Sequence, residues 1–345
     1  MSERDWSTAG ALAQSVASWC VGNHQLLEAL EQAEAHHEAG RSLYRALAQL
    51  GVLDAWAQGG SDGLVCACSA VRTLAEHSAS AAAALMQQNL ALRLVEAPEA
   101  TGDWWALPLF DGPESWPEGL LVAESGGVSG LWRTVVGLPW ARHALLPVPD
   151  GHGRVRLLQL ELDAGLPSIT MLGLRGLPVG DLHVQSAVGM PGAQPADRCT
   201  QLWSQAELMA GALRAGIVSA SYATALGYAR ERWQGGATII EHSQVQRMLA
   251  QMYSAVLEAD AAWRGGCDLL QDDAGLPPAV MAQLLRGATQ ATAVASDGVQ
   301  LLGGIGYMED YPQARRLRDA KTCEFLLGHP ERKRAALWQR GAYHA

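Results

Sequence analysis

Charge is scarce in this chain: only 17% of its 345 residues are Asp, Glu, Lys or Arg, against 49% apolar. That balance is the composition of a soluble globular chain, and so few charges imply that much of its surface lies in interfaces. Positive charge is scarcer still, since the net charge of -10 argues against nucleic acid or an anionic membrane surface as a partner. No run of 18 apolar residues is present, and the first residues show no signal-peptide pattern, so no membrane and a cytoplasmic location are expected. The six cysteines (Cys20, Cys66, Cys68, Cys199, Cys267, Cys323) form no CxxC pair and no metal spacing, as expected of reduced thiols in a cytoplasmic protein. His36-His37 and Cys66/Cys68 lack the partners a metal site needs, and adjacent residues on a helix point different ways, so they read as surface histidines and core cysteines.

What is there falls into three textures, in a chain long enough for two or three domains. Residues 6–97 read as helical: Leu26, Leu27 and Leu30, then Leu43, Leu47 and Leu50, recur at three and four residues. Gly51 ends that helix, and 58–63 (QGGSDG) reads as a loop before a helix from Leu64. Over 98–196, proline, glycine and short apolar runs at 120–123, 144–148 and 155–160 suggest strands of a small antiparallel barrel or sandwich. From Gln205 helices return: 208–228 is apolar nearly all round, 244–263 is one-faced, and 279–302 is a third long run. The expected domains are 1–97, 98–196 and 197–345.

Gly303, Gly304 and Gly306 should stop the third helix, with 307–312 a loop and a short helix from about 313 because Pro312 cannot sit in a helix interior. A glycine turn at a helix end offers backbone groups to a phosphate-bearing ligand, although tight packing explains glycines equally well. The order Gln300, Leu301-Leu302, Gly303-Gly304-x-Gly306-Tyr307, acidic residues, Tyr311-Pro312 and Arg318-Asp319-Ala320-Lys321 resembles the C-terminal signature of the acyl-CoA dehydrogenases, flavoproteins that desaturate acyl-CoA thioesters. Tyr228-Ala-Arg-Glu-Arg232-Trp-Gln-Gly-Gly236, with Gln244-Val-Gln246 and Leu249-Ala-Gln-Met252, is similar to a second block of that family, and weaker echoes occur at 47–53 and 173–181. The resemblance is strong over 205–330, faint but collinear over 40–200, and absent before about residue 40. It implies a mainly α fold with a small β domain: an N-terminal helical domain, a middle β-barrel or sandwich, and a C-terminal four-helix bundle through which members assemble.

The family's chemistry needs a carboxylate to remove the Cα proton while hydride leaves Cβ for the flavin. By the resemblance, that base precedes the glycine after the RDAK stretch, where this chain has Leu327. Glu207, beside the alternative position used by some members, and Glu324, one turn before Leu327, are the remaining candidates. The family's TExxxGSD loop is not found, and its flavin-facing strand has at best Leu131-Trp132-Arg133-Thr134. In contrast, the residues that resemble the family's contacts to a neighbour's FAD, at its ADP half, are present: Arg232, Gln300, Gly303, Gly304 and Gly306, with Gly235 in place of a phenylalanine. The resemblance therefore implies the non-catalytic subunit of a heteromeric FAD-dependent acyl-CoA dehydrogenase of lipid or steroid catabolism. FAD would be shared with a second acyl-CoA dehydrogenase subunit in an α2β2 assembly, and the acyl-CoA bound mainly by that partner. A flavin-free scaffold, or a flavin enzyme of altered chemistry (oxygenase or lyase), are the alternatives.

Overall fold

Residues 79–94 (ASAAAALMQQNLALRL) combine strong helix formers with too few polar side chains to make a solvated face. In the computed structural model they form a helix (α5, Ala79–Leu94) buried almost all round. The structure describes residues 6–32, 36–95, 102–112, 117–123, 126–149, 154–163, 166–191, 194–271, 274–309 and 311–342. Before α5 come α1 (Ser7–Gly22), α2 (His24–Ala29), α3 (His36–Gln49) and α4 (Ala55–His77). Ser78 separates α4 from α5 in an extended conformation, and its hydroxyl accepts the Ala81 N–H, capping α5. The expected loop at 58–63 is instead the first part of α4, bent at Gly60 (φ 56°, ψ -134°). Glycine was misleading there because it serves a kink and, at Gly63, a contact with the Ala55 carbonyl that leaves no room for a Cβ.

The middle region holds β1 (Trp105–Ala106), β2 (Glu118–Val122), β3 (Val128–Val136), β4 (His143–Pro149), β5 (Val155–Glu161), β6 (Val179–Ala187) and β7 (Met190–Pro191). They form two sheets, in the orders β1-β4-β5-β7 and β2-β3-β6. All pairs are antiparallel except β1 with β4. The inward residues of β4 and β5, such as Leu145, Val148 and Leu157, join the common core.

The third region is built on α6 (Ala196–Glu231), with α7 (Ser243–Asp268), α8 (Pro278–Leu302) and α9 (Pro312–Cys323). Glycines let the helices approach: Gly211 faces Leu284 and Trp263, Gly216 faces the Arg72 carbonyl of α4, and Gly266 faces Leu208 and Val280. As its period suggests, α7 buries Leu249, Met252, Ala255 and Trp263 and leaves Tyr253 and Leu257 exposed. A short hairpin, β8 (Trp233–Gln234) with β9 (Ala237–Thr238), follows α6. A further helix, α10 (Pro330–Ala342), was not expected from the sequence; Pro330 opens it, where its missing N–H costs nothing. Among the described residues no helix is long and apolar enough to cross a membrane.

One loop of the β region ties it to both helical layers. The Leu174 N–H donates to Asp319 Oδ1 (2.6 Å), the Gly173 N–H to Thr322 Oγ1 (3.1 Å), and the Gly176 N–H to Ser80 Oγ (3.1 Å). Ser80 in turn donates to Glu31. Gly173 lies so close to the Arg318 carbonyl that no side chain fits. Burial, aided by the Glu31 charge, pushes the Asp319 carboxyl up to about 7. A raised folded-state pKa means the folded chain keeps a proton that the unfolded chain has released, so this contribution is complete below about pH 4 and is lost as pH rises through about 7. Asp319→Asn keeps an oxygen for the Leu174 N–H and removes the titration. Urea unfolding should therefore show wild-type stability falling by a few kcal/mol relative to the variant between pH 4 and 7, and parallel profiles would refute the assignment.

Candidate functional site

Beyond α9 the chain turns sharply through Leu326, Leu327 and Gly328. Leu327 adopts φ 62° and Gly328 φ 119°. A left-handed leucine costs on the order of 1–2 kcal/mol, and the turn is held against that cost from several sides. The Leu327 N–H donates to the Leu109 carbonyl at 2.7 Å. Its side chain is 2% exposed, and a Cβ on Gly328 would lie 3.1 Å from the Gly112 backbone. The end of the bundle and the segment after β1 are thus joined backbone to backbone.

Cations satisfy the carbonyls that the C-terminal end of α9 leaves without helical partners. Arg214 of α6 donates from Nε (3.2 Å) and Nη2 (3.1 Å) to the Cys323 carbonyl. Lys333 of α10 donates to the Leu326 carbonyl (2.6 Å) and to Glu207 Oε1. Glu207 is 3% exposed, and its Oε2 lies 3.9 Å from Arg214 Nη2. Burial lowers the Lys333 pKa, with the Glu207 charge opposing. Glu207 Oε2 and Arg214 Nη1 are buried without hydrogen-bond partners. Glu207, weighed from sequence as a base, is here committed to an ion pair. Glu324 is buried too; it accepts from Thr292 Oγ1 (2.5 Å) and Lys321 Nζ (3.0 Å).

A cavity of about 240 Å³ opens beside this cluster, lined by Trp203, Glu207, Met281, Leu327 and Lys333 among others. Sequence reasoning missed both cavity and cluster. The signal that could have found the cluster is the pair Glu207 and Arg214, seven residues apart on one face of a largely apolar helix.

The glycine turn and Arg232 lie elsewhere. Helices α6 and α8 run parallel, because Gly211 meets Leu284 while Arg316 joins Thr224 to Gln313, which bonds the Ala295 carbonyl. Their C-terminal ends therefore share one end of the bundle, with Arg232 and Gln300 both exposed there. At a rise of about 1.5 Å per residue, Arg232 is roughly 37 Å along α6 from Glu207. The structure brings Arg232 and the glycine turn to one end and sets them far from Leu327 and Glu207. The glycines differ in cause. Gly303 has φ 63°, which closes α8, and Gly306 is crowded by the Val299 carbonyl at 2.6 Å. Gly304 has neither reason: its φ is ordinary, and nothing lies within 4 Å of where its Cβ would be. Around this end Trp233 and Tyr307 are 65% and 70% exposed.

The stretch Leu131–Thr134 sits in β3, but the register to β6 shifts between Trp132 and Val135. Thr134 takes φ 51°, its N–H donates to Asp181 Oδ1 (3.0 Å), and Trp132 is buried. Among the described residues there is no cluster of three or more His, Cys, Asp or Glu that could hold a metal.

Comparison with known proteins finds likenesses to one group of them. Residues 202–341 match the model "Acyl-CoA dehydrogenase, C-terminal domain". A stretch of 125 residues is 36% identical to the mitochondrial 2-methylacyl-CoA dehydrogenase of Solanum tuberosum, covering 35% of this chain and 30% of that one. A protein of Mycobacterium tuberculosis named "Probable acyl-CoA dehydrogenase FadE25" is 28% identical over 260 residues, 69% of this chain and 60% of that one. The matches thus span less than two thirds of these relatives. The glutaryl-CoA dehydrogenase of Mycobacterium smegmatis, solved in complex with FADH2, superposes with a TM-score of 0.81 at 16% identity, over 97% of this chain and 94% of that one.

An FAD tested against these residues meets two different surfaces. Its ADP half suits the end where Gly304 keeps backbone open and Arg232 offers a planar fork to a pyrophosphate. Beside Leu327 the chain offers the chemistry of a ring site no base: the side chain is an apolar leucine, 2% exposed, and its amide is taken by the Leu109 carbonyl. The buried cluster makes its own prediction. Glu207→Gln leaves Lys333 and Arg214 as two buried cations without their carboxylate and should cost about 3–5 kcal/mol. Lys333→Met leaves Glu207 beside Arg214 and should cost less. Urea unfolding decides, and losses below about 1 kcal/mol for both would mean that the trio does not hold the turn.

Proposed function

Because the chain has the acyl-CoA dehydrogenase fold, with that family's C-terminal domain over residues 202–341, we propose that it is the base-lacking subunit of a heteromeric FAD-dependent acyl-CoA dehydrogenase. It lends Arg232, Gln300, Gly303, Gly304 and the turn closed by Gly306 to the ADP half of a flavin whose ring the partner holds. The observation that carries this reading is the contrast between Leu327, a buried leucine with no proton-accepting group and its N–H bonded to Leu109, and an open glycine turn at Gly304. When bound, the flavin accepts the hydride that leaves Cβ. This chain's residues move no proton in that step: leucine cannot take one, and Glu207 and Glu324 are bonded to Lys333 and Lys321. Its part is binding and assembly. The exposed Trp233, Tyr307, Met308 and Tyr311 around the glycine turn offer apolar cover to a neighbouring subunit. The partner would bind the acyl-CoA and supply the base, in an α2β2 assembly.

Arg232→Ala should weaken flavin binding by the reconstituted apo-complex about 10-fold to 100-fold, the worth of hydrogen bonds to a charged group. Arg232→Lys should recover only part of it, since a point charge does not reproduce the fork. Flavin titration with light scattering to follow assembly measures both. Unchanged affinity in an intact complex would favour the flavin-free scaffold instead. Leu327→Glu should not give the isolated chain desaturase activity, although a general base is worth about 10²–10⁴-fold where the rest of a site exists. Turnover by that variant in a dye-linked assay would show that the ring position is open.

A further inference from the structure

One face of α6 forms a wall of the cavity beside Leu327: Thr200, Trp203, Ser204 and Glu207, spaced as i, i+3, i+4 and i+7, all line it. Several polar groups on the lining are already bonded. Thr200 Oγ1 donates to the Ala196 carbonyl (3.2 Å), Ser204 Oγ accepts the Leu276 N–H (3.3 Å), and Lys333 donates to Glu207 Oε1 and to the Leu326 carbonyl. Trp203 Nε1 and Glu207 Oε2, in contrast, are buried without hydrogen-bond partners. Arg214 Nη2 stands 3.9 Å from Glu207 Oε2, too far for a hydrogen bond. Trp203 and Glu207 are each 3% exposed and lie four residues apart, so an indole donor and a carboxylate acceptor are neighbours on the cavity wall. Leu276, Met281 and Leu337 supply apolar lining beside them.

We infer that this cavity binds a compact neutral alcohol or phenol, whose hydroxyl accepts from Trp203 Nε1 and donates to Glu207 Oε2 while its apolar body lies against Met281 and Leu337. An indole N–H only donates and a carboxylate only accepts, so the group that answers both is one that does both, and a hydroxyl does. Charged ligands meet opposition. A carboxylate would face the Glu207 carboxylate, and an ammonium would stand beside Lys333 and Arg214. A thioester carbonyl accepts but cannot donate, which leaves Glu207 Oε2 unanswered. A water molecule makes the same two bonds, but water in the remaining volume finds no partners on the apolar lining, and an apolar body displaces it favourably. At about 240 Å³ the cavity exceeds the roughly 150 Å³ that admits benzene, room for a ring with a short substituent. The inference goes beyond the shared-flavin reading and does not depend on it, since donor, acceptor and cavity all belong to this one chain.

The test is calorimetric titration of the full-length chain at neutral pH with para-cresol, para-methylanisole and para-toluate, three ligands of closely similar size. Para-cresol should bind at one saturable site. Para-methylanisole, whose ether oxygen accepts but cannot donate, and para-toluate, an anion, should each bind roughly tenfold more weakly or worse, the worth of a hydrogen bond to a charged group. Trp203→Phe keeps a ring in the wall and removes the donor, and should weaken para-cresol about twofold to tenfold. Ala336→Trp, exposed and at the cavity wall, should abolish binding, with circular dichroism confirming the fold of both variants. Three results overturn the inference: no saturable para-cresol binding, equal or tighter binding of either analogue, or undiminished para-cresol binding by a folded variant. Displacement of para-cresol by octanoyl-CoA would also overturn it, by making the cavity a thioester site. None of these outcomes bears on the Arg232 titration, so the two readings fail separately.

Discussion

The hydrogen bond from the Leu327 N–H to the Leu109 carbonyl fixes the meeting of two regions that the sequence separates by more than half its length. It holds because the turn around it has no freedom left. Arg214 grips the Cys323 carbonyl on one side and Lys333 the Leu326 carbonyl on the other, while Glu207 links the two cations. Breaking this bond would leave an N–H and a C=O without partners and release a left-handed leucine from its packing, and the orphaned polar groups alone cost more than the surface exchange of one hydrogen bond.

Helix α6 sets the other constraint. A single rod of 36 residues carries Glu207 near one end and Arg232 at the other, so whatever binds at Arg232 cannot also touch the Leu327 turn of the same chain. On the proposed function, the end at Arg232 would serve a neighbour, while the cavity beside Leu327 lies at the opposite end of the same rod. The loop at Gly173–Gly176, bonded to Asp319 and Ser80, keeps the β region seated against the helices.

Much of this was legible from local pattern. Leucine spacing in α3, the one-faced period of α7 and the all-round apolar character of α6 are short-range properties, and the helices formed where those periods lie. The glycine turn was legible as a motif, although its members owe their presence to different causes, which only coordinates separate. The errors have a common origin in contacts between distant residues. Gly60 and Gly63 looked like a loop because the kink at Gly60 and the Ala55 carbonyl that Gly63 accommodates are visible only once the helix has folded. Helix α10 was missed because a proline that opens a helix and one that follows the end of the preceding helix read alike in sequence. Lys333 and Glu207 are 126 residues apart, and no local period marks two charges that find each other across a bundle.

On the proposed function this chain supports a flavin's ADP half and supplies no base beside a ring of its own. Flavin absorbance per mole of chain tests this, first for the chain purified alone and then for the chain co-purified with a base-carrying acyl-CoA dehydrogenase subunit. Far less than one flavin per chain is expected for the chain alone, and a flavin-loaded complex. Stoichiometric flavin in the isolated chain would contradict it.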